Sequence, residues 1–351
     1  MEILDRSAAA ERVKAMARSA GFEMVGIATL APAATGGAYR RWLERGDQAG
    51  MEWMAKHVEL RLDPRQLLPG ARSALVVGLR YAPLEDSEAS SGLWPRVARY
   101  ARGRDYHDIL RERLSALAGS IRGEFPECRS RVCVDTAPLL ERELAARAGL
   151  GAVGKNTNLL HPDYGSWFLL AEILLSLDLA PDQPLSDLCG ACTRCLDACP
   201  TGALPEPYRL DARRCLSYWT IEHRGAIPEE LRSHVSDRVF GCDICQEVCP
   251  WNRDPPPVRE PELAVPAGRR ELDLAGLLGI DEAEYQERFR GSPMKRAKAE
   301  GLRRNAALAL AGDGGPAARA ALATAARDPS PVVREAAAWA AARSPAGEPV
   351  D

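Results

Sequence analysis

The sequence predicts three parts: an α/β domain over residues 1–180, a cysteine-rich module over 181–260 and a helical region over 261–351. Three observations predict this. Helical patterns alternate with apolar, strand-like runs up to about residue 180. Eight of the ten cysteines then crowd between Cys189 and Cys249. Beyond the run Asp254–Pro257 (DPPP), whose prolines break regular structure, Ala, Leu and Arg dominate.

Residues 6–20 (RSAAAERVKAMARSA) carry helical periodicity, GFEMVGIATL reads as a strand, and a second helix lies near Ala38–Arg45. The turn LLPGAR opens a buried strand at Ala74–Leu79. Asp108–Arg122 is expected as a helix, Arg131–Val134 as a short strand and Pro138–Ala148 as a helix. Ser166–Leu177 is apolar enough for a strand or a core helix. In the last part, 301–311 (GLRRNAALALA), 316–327 and 331–343 (PVVREAAAWAAAR) are helices. The phrase DPSPVVREAAAWA resembles a HEAT repeat, and at most two repeats fit, so a small HEAT-like C-terminal cap is expected.

Composition is that of a globular protein, with 46% hydrophobic and 27% charged residues. A formal net charge of −3 gives no global attraction for nucleic acid, so any such site must be a local basic patch. The charged start MEILDRSAAAERVKAM does not read as a secretory signal. The longest apolar run, Trp167–Leu177, is interrupted by Glu172 and falls short of the ~20 residues a membrane span needs. The expectation is a cytoplasmic monomer with no membrane contact.

The cysteines carry the chemistry. Cys189, Cys192, Cys195, Cys199 and Pro200 follow the spacing C-x2-C-x2-C-x3-C-P of bacterial ferredoxins. Three close thiolates wrap one cubane, and the fourth reaches the other cluster. The second run, Cys242, Cys245, Cys249 and Pro250, repeats the ending but has Val239 where its first cysteine belongs. Cys215 is the remaining cysteine between the runs and takes that place. Crossing the ligands gives two [4Fe–4S] sets: Cys189, Cys192, Cys195 and Cys249, then Cys199, Cys215, Cys242 and Cys245. Zinc ribbons use separated C-x2-C hooks without the third cysteine and trailing Cys-Pro. Cys128 and Cys133 fall outside the pattern and read as ordinary thiols.

Weaker signals surround them. Gly149, Gly151 and Gly154 spell G-x-G-x-x-G, but a helix precedes them and no helix follows, so a dinucleotide fold is not indicated. Asp135 in VDTAP lies between a strand and a helix, where Asp135 or Thr136 would cap and Pro138 would sit in the first turn. Tyr106 and His107 could be ligands or acid–base groups, although a His at a helix start is more often structural. Lys295, Arg296, Lys298, Arg303 and Arg304 form one basic cluster. Arg96, Arg99, Arg102 and Arg104, interleaved with Trp94 and Tyr100, form another that suits an unstacked nucleotide.

Several segments together resemble one family: RYARGRDYH at 99–107, VDTAPLLERELAARAGLGAVGKNTNLLHPDYGSWFLL at 134–170, the split eight-cysteine module, and GLRRNAALAL. The family is epoxyqueuosine reductase, and the likeness runs over roughly residues 10–345. The resemblance implies a cobalamin bound by the N-terminal domain and fed with electrons by the two clusters. It implies removal of the epoxide oxygen from epoxyqueuosine at the tRNA wobble position. Asp135 matches the family's proton donor, a role that calls for a raised pKa. Tyr106, His107, Asp135, Gly151, Lys155, Asn156, Asn158 and Ser166 become candidates for the cofactor's surroundings. Arg99, Lys295, Arg296, Lys298, Arg303 and Arg304 become candidates for gripping the anticodon stem-loop. Some relatives carry a cysteine where this chain has Ala98, so a thiol role there is absent.

Two rivals differ in kind. A reductive dehalogenase-like corrinoid reductase shares the cofactor plan but usually carries an export signal and lacks a basic helical cap. An electron-carrier subunit would need neither the 180-residue α/β domain nor Asp135. The electron donor itself is not named by any motif.

Overall fold

A computed structural model describes residues 5–81, 96–258, 260–265 and 272–344; Trp94 lies outside them. Asp5 caps the first helix, Arg6–Ser19, accepting from the N–H groups of Ser7 at 2.9 Å and Ala8 at 3.2 Å. Ala9, Ala10, Val13 and Ala17 are its buried stripe. Four strands follow: β1 (Met24–Thr29), β2 (Ser73–Arg80), β3 (Ser130–Cys133) and β4 (Phe168–Leu175). Their order in the sheet is β1–β2–β4–β3. The run Ser166–Leu177 is thus a strand.

Every pairing in this sheet is antiparallel. Alternating helices and strands usually give a parallel sheet. Here β4 returns between β2 and β3, which run the same way, and so opposes both. β2 is buried along its whole length. Its period-two alternation splits the side chains between two cores. Leu75, Val77 and Leu79 pack with Ile109, Leu110 and Leu114 of the helix Tyr106–Glu124. Ala74 and Val76 pack on the other face with Met24, Leu144 and Ala145.

The helix expected at Pro138–Ala148 begins only at Glu141 and ends at Arg147, with Leu140 at its N-cap. Neither Asp135 nor Thr136 caps it, and Pro138 lies outside its first turn. Asp135 instead adopts a left-handed backbone, φ 49°. That conformation takes the chain out of β3 in a sharp turn, so the helix cannot start there.

The boundary expected at residue 260 does not separate the cores. Leu216, Ile221, Val235, Val239 and Phe240, all between the cysteine runs, pack with Leu277, Tyr285, Leu302 and Val333 of the helical part. Long-range packing assigns them there, although the chain order places them among the cysteines. The proline run is tied back to the first domain: Arg80 donates to the Pro256 carbonyl, and Arg113 pairs with Glu260 at 2.7 and 2.8 Å. The expected terminal helices form at Lys298–Ala309, Pro316–Ala325 and Pro331–Ala341, and the first packs on the last. Among the described residues no helix is long and apolar enough to cross a membrane.

Candidate active site

Neighbouring thiols of the cysteine-rich module raise one another's pKa. Burial and the neighbouring Cys189 and Cys249 push the Cys195 thiol up to about 11. Burial raises Cys249 too, and Cys189 and Cys192 are among the groups that add to it. Cys199, Cys215, Cys242 and Cys245 line a single cavity of about 370 Å³. Within it, burial raises Cys242 to about 11 and also raises Cys245, and Cys215 adds to both. Buried thiols this close resist losing four protons together. Only a strongly positive centre among them lets four thiolates coexist.

The loop 149–166 clamps both cysteine runs to the sheet. The Lys155 N–H donates to Cys189 Sγ at 3.4 Å, and its Nζ donates to the carbonyls of Gly190 at 2.7 Å and Cys192 at 2.9 Å. Buried Asn156 donates to the Cys245 carbonyl at 3.1 Å. The Ser166 hydroxyl accepts from Gln246 at 3.0 Å and Asn252 at 2.9 Å. Gly165, at φ 64°, presses so closely on Asn252 that no Cβ fits.

Of the residues expected around a cofactor, Tyr106, Asn156, Asn158 and Ser166 line the cavity, and Ala98 joins them. Gly151 and Lys155 do not. The Leu160 carbonyl occupies the place of a Gly151 side chain, in a tight pairing of Ala152–Val153 with Leu159–Leu160. Lys155 is committed to the cysteine-loop carbonyls, because an ammonium close to that loop meets acceptors there first.

His107 and Asp135 stand beside the cavity, joined to it by Tyr106, whose ring stacks on His107 at 4.1 Å. His107 Nε2 lies 2.9 Å from Asp135 Oδ2, and Nδ1 lies 2.8 Å from Asp105 Oδ1. Burial works to lower the His107 pKa, but the hydrogen bonds and charges of Asp105 and Asp135 outweigh it and carry the group to about 9. His107 is therefore an imidazolium at neutral pH. For Asp135, burial works upward, yet the bond and charge of His107, the Tyr106 hydroxyl and Arg296 prevail and lower its pKa. The raised pKa expected of Asp135 is not what the structure shows. In the resting dyad the proton sits on His107.

Two acids behind Asp135 gave only faint signals in the sequence. Glu141, the first residue of its helix, accepts the Asp135 backbone N–H at 2.7 Å. Glu172 is 0% exposed on β4, opposite Cys133, and neither of its oxygens has a hydrogen-bond partner. Burial raises the pKa of both, and Glu141 and Asp135 add to the effect on Glu172. A carboxyl inside an apolar strand was the available clue to Glu172.

The basic residues divide. The Arg99 guanidinium lies over Trp167 at 4.5 Å, and the Arg99 backbone N–H donates to the Asp243 carboxylate at 2.7 Å. Arg303 pairs with Asp328 at 3.1 Å and is mostly buried. Arg304 is 1% exposed and donates to the carbonyls of Trp219 (2.5 Å), His223 (3.2 Å) and Gly225 (2.6 Å). Arg303 and Arg304 hold the interior together and do not face a phosphate backbone, whereas Arg99 is half-buried. Arg296 and Lys298 are exposed and Lys295 is half-buried. Arg296 pairs with Glu222 at 2.9 Å and covers the exposed Trp53 at 4.9 Å. Its charge also acts on Asp135, helping to lower that carboxyl's pKa.

Residues 188–252 match the family model described as "4Fe-4S double cluster binding domain". Fold and site thus define an iron–sulfur oxidoreductase. Residues 61–136, which end one residue past Asp135, match the model "Epoxyqueuosine reductase QueG, DUF1730". The epoxyqueuosine reductase of Xanthomonas campestris pv. campestris is 45% identical over 347 residues, 97% of each chain. That of Escherichia coli is 40% identical over 312 residues, covering 88% of this chain and 82% of its own. The crystal structure of an epoxyqueuosine reductase with an epoxyqueuosine-modified tRNA-Tyr stem loop superposes with a TM-score of 0.86 at 34% identity, covering 95% of this chain and 89% of the other. The Bacillus subtilis enzyme, with its catalytic aspartate loop swung out of the active site, gives 0.84 at 34% identity, covering 94% and 88%. The chain belongs to the epoxyqueuosine reductase family.

Proposed function

We propose that this chain reduces epoxyqueuosine to queuosine at the wobble position of tRNA, in the cytoplasm, with Asp135 delivering a proton to the departing oxygen. The observation that carries the reading is the Asp135–His107 dyad, half open to solvent beside a cavity that four thiols help to line. Cys189, Cys192, Cys195 and Cys249 would hold the outer [4Fe–4S] cluster, and Cys199, Cys215, Cys242 and Cys245 the inner one. The chemistry of a cobalamin fits the same cavity: Tyr81, Tyr106, Phe168 and Leu169 give broad apolar walls, and Asn158 gives an amide for an amide-rimmed macrocycle. Tyr106, Asn156, Asn158 and Ser166 would hold it. When bound, it supplies a reduced metal able to pass electrons to an epoxide carbon.

Turning an epoxide into an alkene breaks both C–O bonds, takes up two electrons and two protons, and releases the oxygen as water. Opening the ring places negative charge on oxygen, and a positioned acid lowers that cost by about 10²–10⁴-fold in rate. Asp135 passes to that oxygen the proton that His107 holds, and the open side of the dyad lets solvent restore it. The HEAT-like helical cap, through Lys295, Arg296 and Lys298, would hold the anticodon stem-loop. Trp53 under Arg296 offers a ring face for a base leaving the stack.

The test is anaerobic reduction of an epoxyqueuosine-bearing stem-loop, with and without cobalamin, read by nucleoside mass spectrometry. Queuosine in the cobalamin tube and a loss of about 10²-fold or more in Asp135→Asn are expected. No queuosine in either tube, or full turnover by Asp135→Asn, overturns the reading.

A further inference from the structure

We infer that Glu141 is a positioning residue for the reaction: its carboxyl group latches the Asp135 turn in the conformation that aims the Asp135 side chain at His107. The inference rests on the reading of Asp135 as proton donor. A left-handed backbone is less costly for Asp than for most residues but still disfavoured, so a partner that fixes the turn at Asp135 matters. The group that does so is the Glu141 carboxyl. Glu141 Oε1 accepts the Asp135 N–H at 2.7 Å. Glu141 is itself fixed as the first residue of a helix. The latch thus joins a rigid element to the loop that carries the acid.

Glu172 explains the chemistry of the latch. It is wholly buried behind the turn, with neither oxygen partnered. Two ionised carboxylates there would drive the Asp135 carboxylate outward. A protonated Glu141 keeps a lone pair for the Asp135 N–H and carries no charge. The direction of both acids, raised by burial, agrees with this. The latch therefore needs an acceptor oxygen at residue 141 and does not need a charge.

Glu141→Gln and Glu141→Ala separate these requirements. Glu141→Gln keeps the acceptor oxygen, and kcat for the modified stem-loop stays within about threefold. Glu141→Ala removes it, and kcat falls by about 10²-fold, the scale of a small misplacement of a reacting group. KM for the stem-loop stays within about twofold in both. A crystal structure of Glu141→Ala shows residue 135 out of the left-handed region. Unchanged kcat in Glu141→Ala overturns the inference, as does an equal loss in Glu141→Gln. If Glu141→Ala loses its iron or its fold, Glu141→Gln decides alone. Wild type and Asp135→Asn run alongside. An inactive wild type or a fully active Asp135→Asn strikes the proton-donor reading; normal behaviour of both with an indifferent Glu141→Ala strikes only the latch.

Discussion

Replacing His107 by Gln tests the charge on the dyad directly. His107 rises from 6.5 to about 9 because Asp105 and Asp135 both grip its protonated form, against the opposing pull of burial. A rise of that size corresponds to about 3 kcal/mol. The His107 side chain is 24% exposed but Asp135 is 53% exposed, so screening cuts the effective contribution to about 1–2 kcal/mol. The sign follows from linkage. A cation favoured by folding contributes fully below its unfolded pKa, near 6.5, and the contribution fades as pH climbs through about 9. Anaerobic urea unfolding of wild type and His107→Gln should therefore differ by about 1–2 kcal/mol at pH 6 and by much less at pH 10. NMR titration of His107 should give a midpoint well above 6.5. A stability difference that is the same at both pH values, or a midpoint near 6.5, refutes the imidazolium–carboxylate dyad.

Three further outcomes follow from the same geometry. Arg304→Met leaves the carbonyls of Trp219, His223 and Gly225 without their donor, so it should cost about 3–5 kcal/mol in unfolding and leave the stem-loop affinity of the folded fraction unchanged. Alanine at Lys295, Arg296 and Lys298 together should do the reverse, raising KM for the stem-loop and flattening the salt dependence of binding, with unfolding little altered; filter binding across a salt series reads it. Cys215→Ser should lower iron from about eight to about four atoms per chain and leave one cluster's spectrum, because the other set contains no Cys215.

The central strand β2 was legible as a short apolar run opened by a turn. Leu75, Val77 and Leu79 part from Ala74 and Val76 in the sequence as they do in space. Ser166–Leu177 stayed ambiguous because it is apolar on both faces, and only its place between β2 and β3 makes it a strand. The cysteine spacing announced a double-cluster module because cluster ligands come from short, fixed runs. The start of the helix after β3 was misjudged because Pro138 looks like a first-turn proline, whereas the left-handed turn at Asp135 delays the helix to Glu141. Arg303 and Arg304 misled because a count of charges carries no information about which helical face is covered. The residues that cover Arg304 are some eighty positions away in the chain. Glu141 was hidden for the same reason: its task is defined by a backbone N–H whose direction no side-chain pattern records.

The packing of Leu216, Ile221, Val239 and Phe240 among the terminal helices has a consequence for how the molecule fails. That segment is bracketed by Cys215 and Cys242, two thiols on the same cavity wall. An inner cluster would act as a clasp across its ends, and damage to the clasp would release the strap it fastens. Oxygen striking the iron would then slacken the packing of the terminal helices as well as stop the current. Electron supply and the packing of the terminal helices would be lost together.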